Sequence, residues 1–501
     1  MDDKTISKKD DLLRKIYFYK EISSEGIDVL EGNFYVEKLK RELIKEGLIK
    51  KSSLKNTKKA ALKAGASYSI QSYYVTAKGK KYLRSQFPDE FGEKTLEVRK
   101  RSNEATERLV KIADTAIMAE TAGAYIIDKE NVMTEDYDSE AEQELQWEPQ
   151  TEIIGELISS SAADQIGGIF TEDSNENNYK PADEQLKQLV KENLYRGIFF
   201  TAHEAKKNLT LTKKETAQYN FTTITGVLLT PKNPYCLYHA GNGFLSQTKG
   251  GEKKIAKILI YNYAKDFNLY PDEFLNREIE NAIIFCKNIG AFAKLVLNKY
   301  NAKVPPGDTF DNSYIVPVSR HGCNIIKRFI EIPDYKDKLI NLLVSEYGYR
   351  LREGYNSRAL PVENPDGEAV FIGIDFDVRK FRAAIRAVME DGSPQYQRIA
   401  ILCYTWQQEY YQEVINLLNT DKLVCAAIDE EAVDELVGFT GRIPAAKERK
   451  RRQPTYSRNS LFKKAFDLGN HKDDSDENSF TENSSNEVTA EVKQDEGWNV
   501  F

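Results

Sequence analysis

Histidine is nearly absent. The chain of 501 residues holds four, His203, His239, His321 and His471, and no two are neighbours. A His-x-His metal pair is therefore missing. With it goes the common metal-assisted strand transfer that joins such a pair to a tyrosine. The 28 tyrosines, Tyr410 and Tyr411 included, single out no nucleophile. Cysteine is also sparse. Cys236, Cys286, Cys323, Cys403 and Cys425 form no C-x-x-C pair, so a thiolate zinc site has no motif. Several sit in apolar runs such as AIIFCKN, which fits reduced, buried thiols of a cytosolic protein. No apolar run approaches the roughly 18 residues of a membrane span, and no membrane partner is expected. The opening MDDKTISKKDD is polar and carries no signal-peptide pattern. There is no phosphate-binding G-x-x-x-x-G-K-[ST] loop. The glycines of YHAGNGFLSQTKGGEKK read as a hairpin and a helix cap. No repeat of about 20–50 residues is present.

What is present describes a large chain with real cores. Its length allows two to four domains. Hydrophobic content of 41% and 11% aromatics argue against wholesale disorder. Net charge is only -7, which names no partner, but the charges are segregated. Residues 135–148 hold seven carboxylates and no base. Residues 441–464 hold nine Lys/Arg against one Glu, and residues 467–501 hold ten Asp/Glu against two Lys. The expected order is a compact unit over 9–90, a helical and acidic linker or insert over 91–183, an α/β domain over 184–440, and a basic-then-acidic disordered tail over 441–501. Within 184–440, strand patterns at 223–230, 234–240, 282–287, 313–318, 369–376, 399–404 and 423–428 alternate with helical ones. That alternation predicts a mixed sheet. The segment 318–329, VSRHGCNIIKRF, reads as a strand with a turn at Gly322, its Arg320 and His321 able to meet phosphate.

The N-terminal unit carries the clearest pattern. Leu12, Leu13, Ile16 and Tyr17 make one apolar stripe, and Val36, Leu39, Leu43 and Ile44 make another at helical spacing. Gly47 ends the second helix. LIKKSS and SYSIQSYYVT read as two strands around a lysine-rich tip. The phrase LKRELIKEGLIKK with YYVTAKGKKYL resembles a winged helix-turn-helix. The third helix of such a unit is narrow enough for a major groove, and wing lysines neutralise phosphates. Ten Lys/Arg stand against three Glu over 36–63. Candidate DNA contacts are Asn33, Lys38, Lys40, Arg41, Lys45, Lys55, Lys58, Lys59 and Lys63. They favour phosphate contact over base readout.

The second candidate site lies in VENPDGEAVFIGIDFDVRKF. Strand alternation places Asp375 and Asp377 on one face, and Asp366 of Pro-Asp-Gly stands ready to join them. Three carboxylates there would suit Mg2+, a hard cation that prefers oxygen. The arrangement distantly resembles the PD-(D/E)XK nuclease-like core, but Asp377 stands where that core has its lysine, leaving Lys380 as the substitute. The plainer reading is a β-turn at Asp366 and a helix cap at the aspartates. Taken together, Leu39, Leu43, Gly47, Leu48, Tyr74, Thr76 and Gly79, followed by Pro365, Asp366, Gly367 and Asp375, are similar to the replication-relaxation family of plasmid and integrative-element proteins. The resemblance implies double-stranded DNA as partner, beside other replication or transfer proteins. It implies a role in element replication, conjugative transfer or its control. The alternatives are a metal-dependent nuclease or relaxase-like enzyme using the Asp cluster, and a winged-helix regulator or protein-interaction scaffold. The expected fold class is α/β, α+β overall.

Overall fold

A computed structural model describes residues 7–32, 35–55, 69–91, 102–127, 184–202, 223–245, 247, 281–302, 304–354, 356–389 and 396–444. The acidic stretch 135–148, the wing tip, residues 248–280 and the tail beyond residue 444 lie outside those residues. The described chain is mixed α/β with three sheets.

The N-terminal unit runs α1 (Lys8–Phe18), β1 (Glu21–Ser23), α2 (Ser24–Glu31), α3 (Val36–Lys45), β2 (Ile49–Lys55), β3 (Ser69–Val75), α4 (Ala77–Gln86) and α5 (Pro88–Phe91). Its strands form an antiparallel sheet in the order β1-β3-β2. Ser7, Ser23 and Thr76 cap α1, α2 and α4 by accepting backbone N–H bonds from Asp10, Gly26 and Gly79. Leu12, Leu13 and Ile16 meet Val36, Leu39 and Leu43 in the core, as the spacing predicts. Ile44 departs from that stripe and is 40% exposed. Gly47, at φ 72°, turns the chain from α3 into β2.

The segment expected as linker is structural. Helix α6 (Asn103–Thr121) buries thirteen of its nineteen residues. The buried positions lie on more than one side of the helix, polar Thr106, Glu107, Asp114 and Thr115 among them. One side packs on α2, β1 and β2, and the other on the next sheet. That sheet holds β4 (Tyr125–Ile126), β5 (Ile198–Thr201), β6 (Ile224–Leu229), β7 (Pro234–Gly241), β8 (Asn281–Cys286) and β9 (Asn312–Pro317), in chain order. The α/β body therefore starts near residue 102, with α7 (Glu184–Asn193) preceding β5. Strands β7, β8 and β9 are parallel. The chain leaving β7 at Gly241 therefore does not return as a hairpin with β8, and Gly250 and Gly251 of the expected cap lie outside the described residues.

Helix α8 (Ile289–Val296) follows β8, and α9 (Arg320–Glu331) follows β9. The strand expected at 318–329 is this α9. Ser319 caps it by accepting the Gly322 N–H at 3.2 Å, and Cys323, Ile326 and Ile330 recur at helical spacing as buried residues. Next come α10 (Tyr335–Glu346), β10 (Arg350–Leu351), β11 (Val362–Glu363), β12 (Ala369–Ile372), α11 (Val378–Met389), β13 (Ile399–Tyr404), α12 (Gln408–Leu418), β14 (Leu423–Ile428) and α13 (Glu430–Val437). The third sheet has the order β10-β11-β12-β13-β14, antiparallel through β12 and parallel beyond it.

Alternation assigns the two faces of this third sheet. Ala369, Phe371, Ile399, Ile401 and Cys403 join the main core, which also holds α8, α11 and α12 residues and the six-stranded sheet. Val370, Ile372, Ala400, Leu402 and Tyr404 join a second core with α10 and α13. Each large side chain so buried contributes on the order of 2 kcal/mol. All five cysteines are free thiols, and four are buried. Among the described residues no helix is long and apolar enough to cross a membrane.

Candidate nucleic-acid interface and polar cleft

Helix α3 turns Lys38, Arg41 and Lys45 outward. Its acidic residues are engaged one by one. Glu46 holds Lys9 at 3.0 Å, Glu37 holds Lys40, and Glu42 lies 3.9 Å from Lys38. Arg41 and Lys45 keep no acidic partner among the described residues. Lys40 leaves the list of DNA contacts. It is 1% exposed and occupies the core-facing position between Leu39 and Leu43. Its ammonium donates to Ser24 Oγ at 3.2 Å and Asp28 at 3.3 Å and lies over the Tyr73 ring. Burial works against its charge, but Glu37 and Asp28 outweigh burial and raise its pKa. Lys40 is a clamp between α3 and α2. Lys55 closes β2 opposite Ser69. Asn33, Lys58, Lys59 and Lys63 lie outside the described residues. Sequence reading passed over Lys50 and Lys51, both exposed on β2 beside α3.

The unit is fastened to the body through α2. Asp114 of α6 accepts the Ser23 N–H at 3.3 Å, and His239 Nε2 stands 3.5 Å from its other oxygen. Gly26 permits that approach, because a Cβ there would meet Asp114 Oδ1 at 2.4 Å. Arg320 donates to the Val29 and Leu30 carbonyls at 3.0 and 3.3 Å, closing the C-terminal end of α2. Arg320 is thus spent on the protein's own backbone rather than kept for phosphate. Lys287 pairs with Glu25 at 2.9 Å. With α2 held, α3 is the face left outward.

The three-carboxylate cluster does not assemble. Asp366 is exposed in the β11–β12 turn, before β12, whereas Asp375 and Asp377 follow its other end. A four-residue strand alone separates the two ends by roughly 13 Å. Strand β12 stops at Ile372, so alternation does not govern 375 and 377. Phe376 between them takes φ 60°, a left-handed conformation uncommon for a bulky residue. Its ring is held among Phe292, Trp406, Tyr410 and Tyr411. Asp377 is fully buried and caps α11 by accepting the Lys380 N–H at 3.1 Å. Lys380 Nζ lies 3.0 Å from its second oxygen, and Lys336 Nζ is 2.9 Å from Asp375. Both carboxylates are neutralised by lysines. No group of three or more His, Cys, Asp or Glu among the described residues could hold a metal ion.

Asp375, Lys336 and Lys380 instead line a cleft of about 220 Å³ with Tyr235, Tyr314 and Arg328. It lies where β7, β8 and β9 begin, under α9 and the first turn of α10. Lys380 also donates to Asn312 at 3.1 Å, and Asn312 to Asn281 at 3.1 Å. Burial and the neighbouring acids push the Tyr314 hydroxyl well above its ordinary range, the wrong direction for a nucleophile. Behind the cleft, Arg328 donates to Glu430 at 2.5 Å and to Asp434 at 2.9 and 2.8 Å. Burial alone would raise the Glu430 carboxyl; His321 and Arg328 outweigh it and hold Glu430 at about 2. Arg328 and Lys336 were not singled out from sequence, because each sits in an ordinary amphipathic pattern.

No family model, curated protein or solved structure matches the chain.

Proposed function

We propose that the protein binds double-stranded DNA through an N-terminal winged helix. The observation that carries this reading is α3. Its apolar face is locked in the core, α2 is locked on the body, and Lys38, Arg41 and Lys45 project outward, Lys38 loosely paired with Glu42 and the other two with no acidic partner among the described residues. A helix presented this way fits a major groove, and its cations displace condensed counterions from the backbone. The helix and strand order of residues 8–86 supports the same assignment. The motif order of the sequence supports a place in the replication or transfer of a mobile element, or in their control. The α/β body then serves as scaffold, its aspartates tied to lysines and a helix cap.

Fluorescence anisotropy with a labelled duplex across a salt series tests the reading. Wild type is expected to show log affinity falling linearly with log salt. The Lys38→Ala, Arg41→Ala, Lys45→Ala triple variant should flatten that slope by about 3. Binding insensitive to salt, or a triple variant indistinguishable from wild type, overturns it.

A further inference from the structure

The edges of the three sheets are protected in different ways. Strand β2 borders the N-terminal sheet and carries Lys50, Lys51 and Lys55. Strands β4 and β10 are two residues long, and β1 is three. The outer side of β9 is met by the Phe376 carbonyl, which accepts the Ile315 N–H at 3.1 Å. Charge, shortness and cover are the usual means of keeping an edge from pairing. Strand β14 has none of them. It borders the third sheet, runs six residues as LVCAAI without charge or proline, and pairs with β13 in unbroken register. Ile399 donates to the Lys422 carbonyl at 2.8 Å, so the backbones of Val424, Ala426 and Ile428 face β13 in turn. Those of Leu423, Cys425 and Ala427 face out, and their N–H and C=O groups meet no partner among the described residues. Leu417 of α12, a helix packed on β14, is also 51% exposed.

We propose that β14 pairs antiparallel with β14 of a second copy of the chain about a twofold axis, joining two five-stranded sheets into one. The strand itself argues for this occupant. It holds no charge to repel its own copy, and an isologous pairing needs no second surface. The flanking charges select the register. Centred on Cys425, the pairing sets Asp421 opposite Asp429 of the second copy. Centred on Ala426, it sets Asp421 opposite Glu431. Both are like-charge contacts between exposed carboxylates, which oppose pairing. Centred on Val424, it sets Asp421 opposite Ala427 and Lys422 opposite Ala426, with neither cost. Leu423 and Cys425 of one copy then exchange hydrogen bonds with Cys425 and Leu423 of the other. Val424 faces its own counterpart across the axis, in the closer, non-hydrogen-bonded kind of pair.

Sedimentation velocity of the full chain at about 1–100 µM reads the pairing, since a contact of this size belongs to the weak, concentration-dependent class. A dimer should grow in as concentration rises. Val424→Lys sets two ammonium groups across the axis and should leave a monomer, with circular dichroism checking that the fold is kept. Val424→Cys in a Cys425→Ser background tests the register. The axial pair stands about 4.5 Å apart at Cα, within disulfide reach, so oxidised glutathione should link the two copies covalently. Wild-type Cys425, opposite Leu423, should stay unlinked, and the other four thiols are buried. A monomer at every concentration overturns the proposal and leaves the edge to a strand of another protein. So does a dimer that survives Val424→Lys, or one that Val424→Cys does not link. Duplex binding enters none of these readouts, so the role of α3 stands or falls separately.

Discussion

Lys38 and Lys40 sit two positions apart and have opposite tasks. Lys38 is exposed, and replacing it with alanine should change stability by less than about 0.5 kcal/mol. Lys40→Ala leaves Asp28 and Glu37 without their cation and should cost about 1–3 kcal/mol. Urea unfolding of both variants checks the contrast. The lysines were legible as a basic run, but their facing was not. About half a helical turn decides which of them is a clamp, and the decision belongs to Asp28 and Ser24 on another helix. Glu430 makes a second residue-scale case. Its folded pKa of about 2 lies below the ordinary 4.5, so its contribution is present above about pH 4.5 and is lost as pH falls through 2. The shift corresponds to about 3 kcal/mol. Asp434 opposes it, since burial raises that carboxyl. Denaturation measured between those pH values should show Glu430→Gln losing less stability on acidification than wild type.

Helix α6 sets the limits of reading elements from sequence. Its first turns look charged, with Glu104, Glu107, Arg108 and Lys111, and sequence reading left them as a charged helix within a linker. The structure buries Glu107 and pairs it with Lys111 at 2.6 Å. The small residues Ala113 and Ala116 then let sheet and helix approach, both fully buried. Ala116→Leu should overpack that contact and cost about 1–3 kcal/mol, read by thermal denaturation. The strands were more legible. Those at 399–404 and 423–428 were read to the residue, because continuous apolar runs bounded by polar turns define buried parallel strands. Helix α9 was missed because Ser319 was read within a strand and not as a cap. The end of β12 at Ile372 was missed because the apolar run continues through Ile374 and Phe376 after pairing has stopped, and the left-handed Phe376 then breaks the expected alternation.

At the scale of the molecule, sequence reading expected two N-terminal strands and one mixed sheet, whereas the described residues hold three sheets with the short β1, β4, β5, β10 and β11 besides. Composition suggested a head on a linker. The core is continuous from Leu12 through α6 to Ile401. A fragment of residues 1–91 therefore lacks the surface on which α2 packs. It should melt at lower temperature and with less cooperativity than the full chain, as circular dichroism would show. A fragment ending at 112 cuts α6 midway and should behave no better. One ending at 127 keeps the helix but exposes its sheet-facing side.

The bolting of α2 to Asp114 and Arg320 has a consequence for searching. A reader on a loose tether samples every bearing and surrenders that freedom on binding. Under the proposed role, α3 would have little bearing to surrender. The axis of a duplex received there would be set by the body before contact is made, which favours aim over reach.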